Sequence, residues 1–374
     1  MPDSRVLISA GEASGDMYGA RLAAALAART GASLFGMGGS RMRAAGVDLI
    51  ADYHEIGVVG IAEVLRKIPT VIRVQNRLAR EAVKRHAALA ILIDSPGTHL
   101  GVARRLKNAR VPVGYFIGPQ IWAWRAGRVR IVRRRVKKMV VIFPFEEPLY
   151  RKAGVPVEFV GHPLVDVLKP TATRAEFAAL HGLDPSRPIV ALMPGSRPSE
   201  IALNYPGVVA ACELLAQNSR IQFVHVTAPG LSPDLFLQHA QLKIPIHRIE
   251  GETYNALSAA DCAIVASGTA TIEAALLGTP MVVIYRVASL TAFFLRRMVR
   301  TPYYAMANLV AGRRVVPELM QDDFTPENVA REIRLLLDSE PARAEMKAGL
   351  ADVRARLGPP GAIERAADIF AAMM

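Results

Sequence analysis

The sequence predicts an α/β protein of two domains, each a parallel sheet with helices on both faces. Short β-branched runs alternate with alanine- and leucine-rich helical stretches, and the alternation is interrupted once. The interruption is the polar, proline-containing stretch 169–188, which is the best candidate for a linker. A chain of 374 residues is also longer than one hydrophobic core usually supports. Both domains are therefore expected to be Rossmann-like.

The predicted strands are short apolar runs, most of them followed by a glycine-containing turn or a helical stretch. In the first domain they are 5–9, 34–37, 89–94, 113–117 and 139–143. In the second domain they are 189–193, 222–226, 246–249, 262–265 and 281–285.

The predicted domains are residues 1–168 and residues 188–324. The alanine-rich segment 325–374 is predicted to be helical. These last helices could return to the first domain or cross to a partner chain, which would make a homodimer.

The basic charge of the chain is concentrated in its first half. The formal net charge is +13. Residues 1–165 hold 26 Lys/Arg against 12 Asp/Glu, whereas residues 166–374 hold 20 against 21. A strongly basic half indicates a polyanionic partner, which is nucleic acid, an anionic membrane surface or a phosphorylated substrate.

The cellular compartment is predicted from cysteine content and hydropathy. Two cysteines, Cys212 and Cys262, cannot build a disulfide framework, which favours a reducing compartment. The apolar run near the N-terminus is too short for a signal peptide, and no stretch has the length of a spanning helix. We expect a cytoplasmic protein whose membrane contact is peripheral.

Two carboxylates follow predicted strands of the first domain, where ligands of open α/β sheets bind. Asp94 ends a buried apolar strand before a Pro-Gly turn, and partial burial would suit it to general-base chemistry, although an Asx turn is the alternative. Glu12 lies in the glycine-rich turn after the first strand and is expected to contact sugar hydroxyls. In the same turn, Ser14 or Asp16 could serve only as a helix cap.

Both tryptophans of the chain, Trp122 and Trp124, precede a basic segment at 125–138 that carries eight positive charges and no negative one. Indoles beside arginines such as Arg125 and Arg128 suit a membrane interface. They could also bind nucleic acid, although no RNA-binding motif accompanies them. A solvated basic helix face is the third interpretation. A second membrane candidate is the apolar stretch at 288–300, which ends in arginines; a core helix with a charged end is the alternative there.

In the second domain, Gly195, Ser196 and Arg197 follow a predicted strand. A Gly-Ser turn with free backbone N–H groups, next to an arginine that can form bidentate hydrogen bonds, predicts an anion site.

A second anion site is predicted where small residues open a helix, because their backbone amides can hold a pyrophosphate. These residues are Ser267, Gly268, Thr269, Ala270 and Thr271. Glu273, one turn further, is placed to accept hydrogen bonds from ribose hydroxyls. The alternative is a Ser/Thr cap with a capping-box glutamate.

The sequence also lacks two metal signatures. It contains no Asp-x-Asp, and none of its eight histidines has a metal-ligand spacing. We therefore expect neither a metal nor another cofactor.

Taken together, these motifs resemble those of the lipid-A-disaccharide synthases, inverting glycosyltransferases with the two-domain GT-B architecture. The resemblance extends over residues 10–321, and the WAW, PGSR and SGTAT segments are its most specific parts. The matching stretches are AGEASGD (10–16), GIAEVL (60–65), IDSPG (93–97), GPQIWAWR (118–125), FPFE (143–146), FVGHPL (159–164), PGSRPSEI (194–201), SGTATIEAALLGTPMVVIYR (267–286) and NLVAGRRVVPELMQ (308–321). The pair Thr98-His99 departs from the family, which tends to have Phe-Asn there.

The resemblance implies a donor, UDP-2,3-diacylglucosamine, and an acceptor, 2,3-diacylglucosamine 1-phosphate. The products would be a β-1′,6-linked tetraacyl disaccharide 1-phosphate and UDP, made at the cytoplasmic face of the inner membrane. Asp94 would be the base, although Glu12 stays open as the alternative. Arg197, Glu273 and Asn308 would line the UDP site, and nucleic acid would not be a partner. The rival enzymes are a UDP-N-acetylglucosamine 2-epimerase and the glycosyltransferase of the peptidoglycan lipid intermediate.

Overall fold

The computed structural model describes residues 4–56, 61–118, 127–217, 220–228, 230–238, 243–287 and 301–374. In the helix Ile61–Lys84, the side chains are described from residue 67 onward. The chain forms two compact units. The first consists of Met1–Pro163 and Gly358–Met374, and the second of Leu164–Leu357. Each unit contains one parallel sheet, so the predicted α/β class is confirmed.

The strands of the first unit form a seven-stranded sheet in the order β3-β2-β1-β4-β5-β6-β7. They are β1 (Arg5–Ala10), β2 (Ser33–Gly38), β3 (Asp48–Asp52), β4 (Leu89–Ile93), β5 (Val113–Phe116), β6 (Lys138–Val141) and β7 (Val157–Phe159). The helices before Pro163 are α1 (Ala13–Thr30), α2 (Ser40–Ala44), α3 (Ile61–Lys84), α4 (Pro96–Asn108), α5 (Arg128–Arg135) and α6 (Glu146–Lys152).

The central strands of this sheet are apolar throughout because helices cover both of their faces. Every residue of β4 is buried, and so is every residue of β5. The edge strands β3 and β7 are more exposed, and a smaller share of their residues is apolar. This sheet places the carboxyl ends of β1 and β4 side by side.

The C-terminal segment completes the first unit. Helix α16 (Ala362–Ala371) packs on α1, and Arg29 joins the two helices through ion pairs with Glu364 and Asp368, each at 2.5 Å. Phe370 is fully buried, and a Cβ at Gly114 of β5 would lie 2.5 Å from its ring. A residue with no side chain at this point of β5 therefore lets the helix lie against the sheet.

The second unit has a six-stranded parallel sheet in the order β10-β9-β8-β11-β12-β13. Its strands are β8 (Ile189–Met193), β9 (Gln222–Thr227), β10 (Ile246–Glu250), β11 (Cys262–Ala266), β12 (Met281–Tyr285) and β13 (Glu318–Met320). Its helices in the described ranges are α7 (Leu164–Val167), α8 (Arg174–Leu180), α9 (Pro198–Ala216), α10 (Pro233–Leu237), α11 (Thr253–Ala259), α12 (Ala270–Leu277), α13 (Met306–Ala311), α14 (Pro326–Asp338) and α15 (Glu340–Arg356).

The stretch 169–188, which has the composition of a linker, is folded into the second unit. Thr173 begins α8 with a capping box that includes Glu176. Phe177 of this helix is fully buried among core residues, and Arg174 forms an ion pair with Asp261 at 3.0 Å. Although the segment is mostly polar, α8 has one short apolar face, and this face is enough to pack the two-turn helix against the sheet.

Candidate active site

In the first unit, Asp94 and Glu12 lie together at the carboxyl ends of neighbouring strands. The pairing of β1 with β4 sets Ala10 opposite Ile93, so the turns after these strands begin side by side. The turns pack closely, because a Cβ at Gly11 would lie 2.3 Å from the Ser95 hydroxyl oxygen. Only glycine fits there, and the close approach brings the carboxyl of Glu12 within hydrogen-bonding contact of the carboxyl of Asp94.

Burial and the contact with Glu12 favour the protonated form of Asp94. Burial, a hydrogen bond with Glu12 and the charge of Glu12 raise the pKa of Asp94 to about 8. A carboxyl beside a second carboxylate ionises less readily, so Asp94 keeps its proton to higher pH than an isolated aspartate does. A group with a pKa in this range can accept a proton from a hydroxyl.

The two other polar residues of the first turn have different partners. The Asp16 carboxylate is buried and accepts hydrogen bonds from the backbone N–H groups of Gly39 (2.6 Å), Arg41 (3.1 Å) and Met42 (3.1 Å). It therefore stabilises the start of α2 and not that of its own helix. Ser14 is exposed and donates to Glu12 Oε1 at 2.9 Å, which helps to orient that carboxylate.

The turn at Gly195, Ser196 and Arg197 lies at the end of β8, as predicted, but its N–H groups are not all free. Glu200, one turn into α9, accepts a hydrogen bond from the Ser196 N–H at 2.9 Å and forms an ion pair with Arg197 at 3.0 Å. The assumption of a free Ser196 N–H is therefore wrong, because the helix carries its own acceptor. The Arg197 side chain remains 69% exposed and can still turn toward an anion.

Helix α12 begins at Ala270, and the segment before it exposes backbone donors. Within the described residues, the N–H groups of Gly268 and Thr269 have no acceptor in the chain. Gly268 has φ +147°, and no atom of the described residues lies within 4 Å of where its Cβ would be. Ser267 and Thr271 use their hydroxyls locally, on the carbonyls of Tyr304 (3.0 Å) and Gly268 (2.8 Å).

Glu273 lies in the first turn of α12 and is half-buried. No side chain caps this helix, so the capping-box interpretation is not realised. Burial raises the pKa of Glu273 to about 7, and no donor in the described part of the chain reaches its carboxylate. Burying a carboxylate without a hydrogen-bond partner costs free energy, so Glu273 is a candidate for ligand binding.

Asn308, in α13, is fully buried and forms four hydrogen bonds within the chain. Its carbonyl accepts from the N–H groups of Val315 and Val316, and its amide donates to the Val316 carbonyl and to Glu318. The side chain has no capacity left for a nucleotide, so its part in a UDP site would be to shape the loop after α13.

The aromatic part of the predicted membrane segment, with Trp122, Trp124 and Arg125, lies outside the described residues, as does the stretch 288–300. The structure does describe Arg128, the first residue of α5, which is partly buried. Exposed basic residues follow it, and we call them the α5 basic surface. They are Arg130, Arg133, Arg134 and Lys137.

Two residues beneath the turn of Asp94 belong to the Asp94–Glu12 site, and the sequence did not predict them. His99 of α4 and Tyr115 of β5 are fully buried, and both contact the backbone carbonyl of Asp94. The sequence offers one weak signal, a histidine on the buried face of a helix.

The described ranges contain neither a candidate metal centre nor a candidate membrane span. No group of three or more His, Cys, Asp or Glu side chains there is arranged to hold a metal ion. Nor does any helix among the described residues have both the length and the apolarity to cross a membrane.

Comparisons with solved structures define the class of fold. The UDP-GlcNAc 2-epimerase of Neisseria meningitidis, bound to UDP-GlcNAc, matches with a TM-score of 0.67 at 14% identity over 98% of this chain and 99% of that one. CalG4, the calicheamicin glycosyltransferase, matches with a TM-score of 0.60 at 15% identity over 100% and 98%. The two Rossmann-like units thus have the GT-B fold of glycosyltransferases.

Comparisons of sequence define the family. The profile of the family described as lipid-A-disaccharide synthetase (LpxB) matches residues 6–367. The lipid-A-disaccharide synthase of Acidobacterium capsulatum is 46% identical over 374 residues, which cover 95% of this chain and 92% of that protein. The chain belongs to the lipid-A-disaccharide synthase family and is an enzyme.

Proposed function

We propose that this enzyme condenses UDP-2,3-diacylglucosamine with 2,3-diacylglucosamine 1-phosphate to the β-1′,6-linked tetraacyl disaccharide 1-phosphate and UDP. The observation that carries the proposal is the Asp94–Glu12 pair at the carboxyl ends of β1 and β4, in a chain of this family. The pair supplies what the transfer requires, a base with a raised pKa beside a second oxygen that can accept from sugar hydroxyls.

Asp94 is the base in this proposal. Its carboxylate takes the proton of the acceptor 6-hydroxyl while that oxygen forms a bond to the anomeric carbon of the donor. The bond from this carbon to the UDP oxygen breaks, and its electron pair leaves with UDP. Attack from the face opposite UDP inverts the anomeric centre through an oxocarbenium-like transition state. Glu12 contacts the Asp94 carboxyl and orients it.

The second unit binds the leaving group in this proposal. The free N–H groups of Gly268 and Thr269, at the positive end of α12, would accept the pyrophosphate charge, with Arg197 as the mobile cation. Glu273 would accept hydrogen bonds from the ribose hydroxyls, which its lack of a partner supports. These groups stabilise UDP without a metal ion. Activity that EDTA abolishes and magnesium restores would contradict this part of the proposal.

The first unit meets the acylated acceptor at an anionic membrane in this proposal. The α5 basic surface supports it, because its four exposed cations have no acidic partner in the described residues. Arg128, with Trp122, Trp124 and Arg125 before it in the chain, would contact the acceptor phosphate and the headgroups. We propose a cytoplasmic enzyme, peripheral on the inner face of the inner membrane and without a nucleic-acid partner. A homodimer is the oligomeric state to test.

Mass spectrometry of the product tests the proposal. Purified enzyme receives the two acylated glucosamine substrates, and the expected product is the tetraacyl disaccharide 1-phosphate. A parallel reaction contains UDP-N-acetylglucosamine alone, and it is expected to yield nothing. The 2-epimer of UDP-N-acetylglucosamine has an unchanged mass, so NMR is used to detect it; its appearance in the second reaction, without disaccharide in the first, would favour the epimerase instead.

A further inference from the structure

The backbone that carries Asp94 is strained and held in place by two side chains. Asp94 and Ser95 have φ values of +48° and +45°, in the left-handed region that residues other than glycine rarely adopt. The backbone carbonyl of Asp94 accepts a hydrogen bond from His99 Nδ1 at 2.8 Å and another from the Tyr115 hydroxyl at 2.5 Å. Two donors on one carbonyl fix the orientation of this peptide unit.

The protonation state of His99 follows from its neighbours. A carbonyl oxygen can only accept, so Nδ1 carries the hydrogen. Nε2 lies 2.9 Å from the Ser9 hydroxyl oxygen and therefore accepts from that hydroxyl. Burial lowers the pKa of His99 to about 4, so the ring stays neutral at the pH where an enzyme of this kind works.

We propose that His99 is a positioning residue for the transfer reaction, and that it acts with Ser9 and Tyr115 as a carbonyl clamp that holds Asp94 against Glu12. The inference rests on the proposed function, in which Asp94 is the base. His99 of α4 and Tyr115 of β5 both donate to the Asp94 carbonyl, and Ser9 of β1 contacts the other ring nitrogen of His99.

The clamp determines where the Asp94 carboxyl lies because it opposes relaxation of the turn. Without the donor from His99, the left-handed residues can return toward ordinary backbone angles, and the carboxyl moves away from Glu12. The titratable groups that face the turn are Glu12, His99 and Tyr115, and the charge of Arg128 acts on Tyr115. Of these, Glu12 is the group that raises the pKa of Asp94, so a displaced Asp94 titrates at lower pH.

Two substitutions of His99 test the clamp. His99→Leu removes both ring nitrogens, and we expect kcat to fall about 10²-fold with the KM for the UDP-sugar donor unchanged. The acidic limb of the pH profile of kcat is expected to move to lower pH. His99→Asn keeps a donor near the position of Nδ1, and we expect it to restore most of the rate and the wild-type limb.

Three controls separate the outcomes. His225→Leu removes a buried histidine of the second unit whose ring nitrogens have no partner, so it measures the cost of losing a buried imidazole alone. Tyr115→Phe removes one donor with little change in volume and replaces His99→Leu if that variant fails to fold. Asp94→Asn with full turnover would overturn the proposed function itself.

The clamp is overturned if Asp94→Asn is inactive while His99→Leu or Tyr115→Phe keeps the wild-type kcat and pH profile. It is also overturned if His99→Leu only lowers the melting temperature, as His225→Leu does, without moving the acidic limb. A slow His99→Leu enzyme with a shifted limb that His99→Asn rescues would support it.

Discussion

The carboxyl of Asp94 is hydrogen-bonded to the carboxyl of Glu12, although the two residues lie far apart in the sequence. The contact exists because β1 and β4 are neighbours in a parallel sheet and their turns begin at the same level. The charge of Glu12 disfavours the ionised form of Asp94, so the protonation state of Asp94 depends on its neighbour.

Glu12→Gln is expected to lower the pKa of the base. The charge of Glu12 helps to raise the pKa of Asp94 to about 8, and an amide lacks that charge. Because the base acts when deprotonated, activity rises with pH through this pKa, and the acidic limb of kcat/KM should move to lower pH in the variant. The position of the limb is the measurement, since the maximal rate also changes if Glu12 contacts substrate. Glu147→Gln, which removes a distant carboxylate paired with Arg151, should leave the limb in place.

Gly11→Ala is expected to separate the two turns. The new Cβ would lie 2.3 Å from the Ser95 hydroxyl oxygen, and such overpacking costs about 1–3 kcal/mol. The rate of disaccharide formation should fall at least tenfold. Adding Ser95→Gly removes the clashing atoms and suits a residue with φ +45°, so the double variant should recover activity. Equal activity of the single and double variants would show that the turns do not need this close contact.

Glu273→Gln is expected to weaken UDP binding and to stabilise the free enzyme at high pH. The pKa of Glu273 in the folded protein, about 7, is above its ordinary 4.5, so ionisation removes stability as the pH rises from about 4.5 to 7. Above pH 7 the amide variant should melt about 2–4 °C higher than the wild type, with no gain at pH 4.5. UDP affinity measured by calorimetry should fall about tenfold. Glu345→Gln, an exposed change in α15, serves as the control for both measurements. Undiminished UDP affinity would remove Glu273 from the nucleotide site.

Charge reversal of the α5 basic surface is expected to release the enzyme from membranes. Each Lys or Arg near an anionic surface contributes about 1 kcal/mol, so changing Arg130, Arg133, Arg134 and Lys137 to Glu should abolish sedimentation with phosphatidylserine vesicles. UDP affinity should not change. The matched control reverses exposed arginines of the second unit, Arg220 and Arg331. Continued vesicle binding by the α5 variant would assign the membrane contact to another surface. Salt-sensitive RNA binding by the wild type that is lost in the α5 variant would support a nucleic-acid partner instead.

The central strands could be predicted from the sequence because a strand covered on both faces is a continuous apolar run. The strands β8 and β12 have the predicted bounds, and β4 differs by one residue. The edge strands β3, β7 and β13 were not predicted. They are short and include charged residues, because an edge strand pairs on one side only and is less covered.

The site could be predicted only in part, for a similar reason. Asp94 and Glu12 follow strands, so each could be expected near the carboxyl edge of a sheet, but their contact depends on which strands are neighbours. Tyr115, which donates to the Asp94 carbonyl, is equally non-local. Even contacts within one helical turn could not be predicted. The sequence does not show that the Glu200 side chain accepts a hydrogen bond from the Ser196 N–H.

The most direct test of the account is the single-turnover rate of Asp94→Asn with both acylated substrates, followed by mass spectrometry of the disaccharide. The variant keeps the size of the side chain and the free N–H groups of the second unit, so UDP should bind as in the wild type. Loss of a positioned general base costs about 10²–10⁴-fold. The account predicts a loss of transfer rate in this range with UDP affinity unchanged. A transfer rate equal to that of the wild type would contradict it.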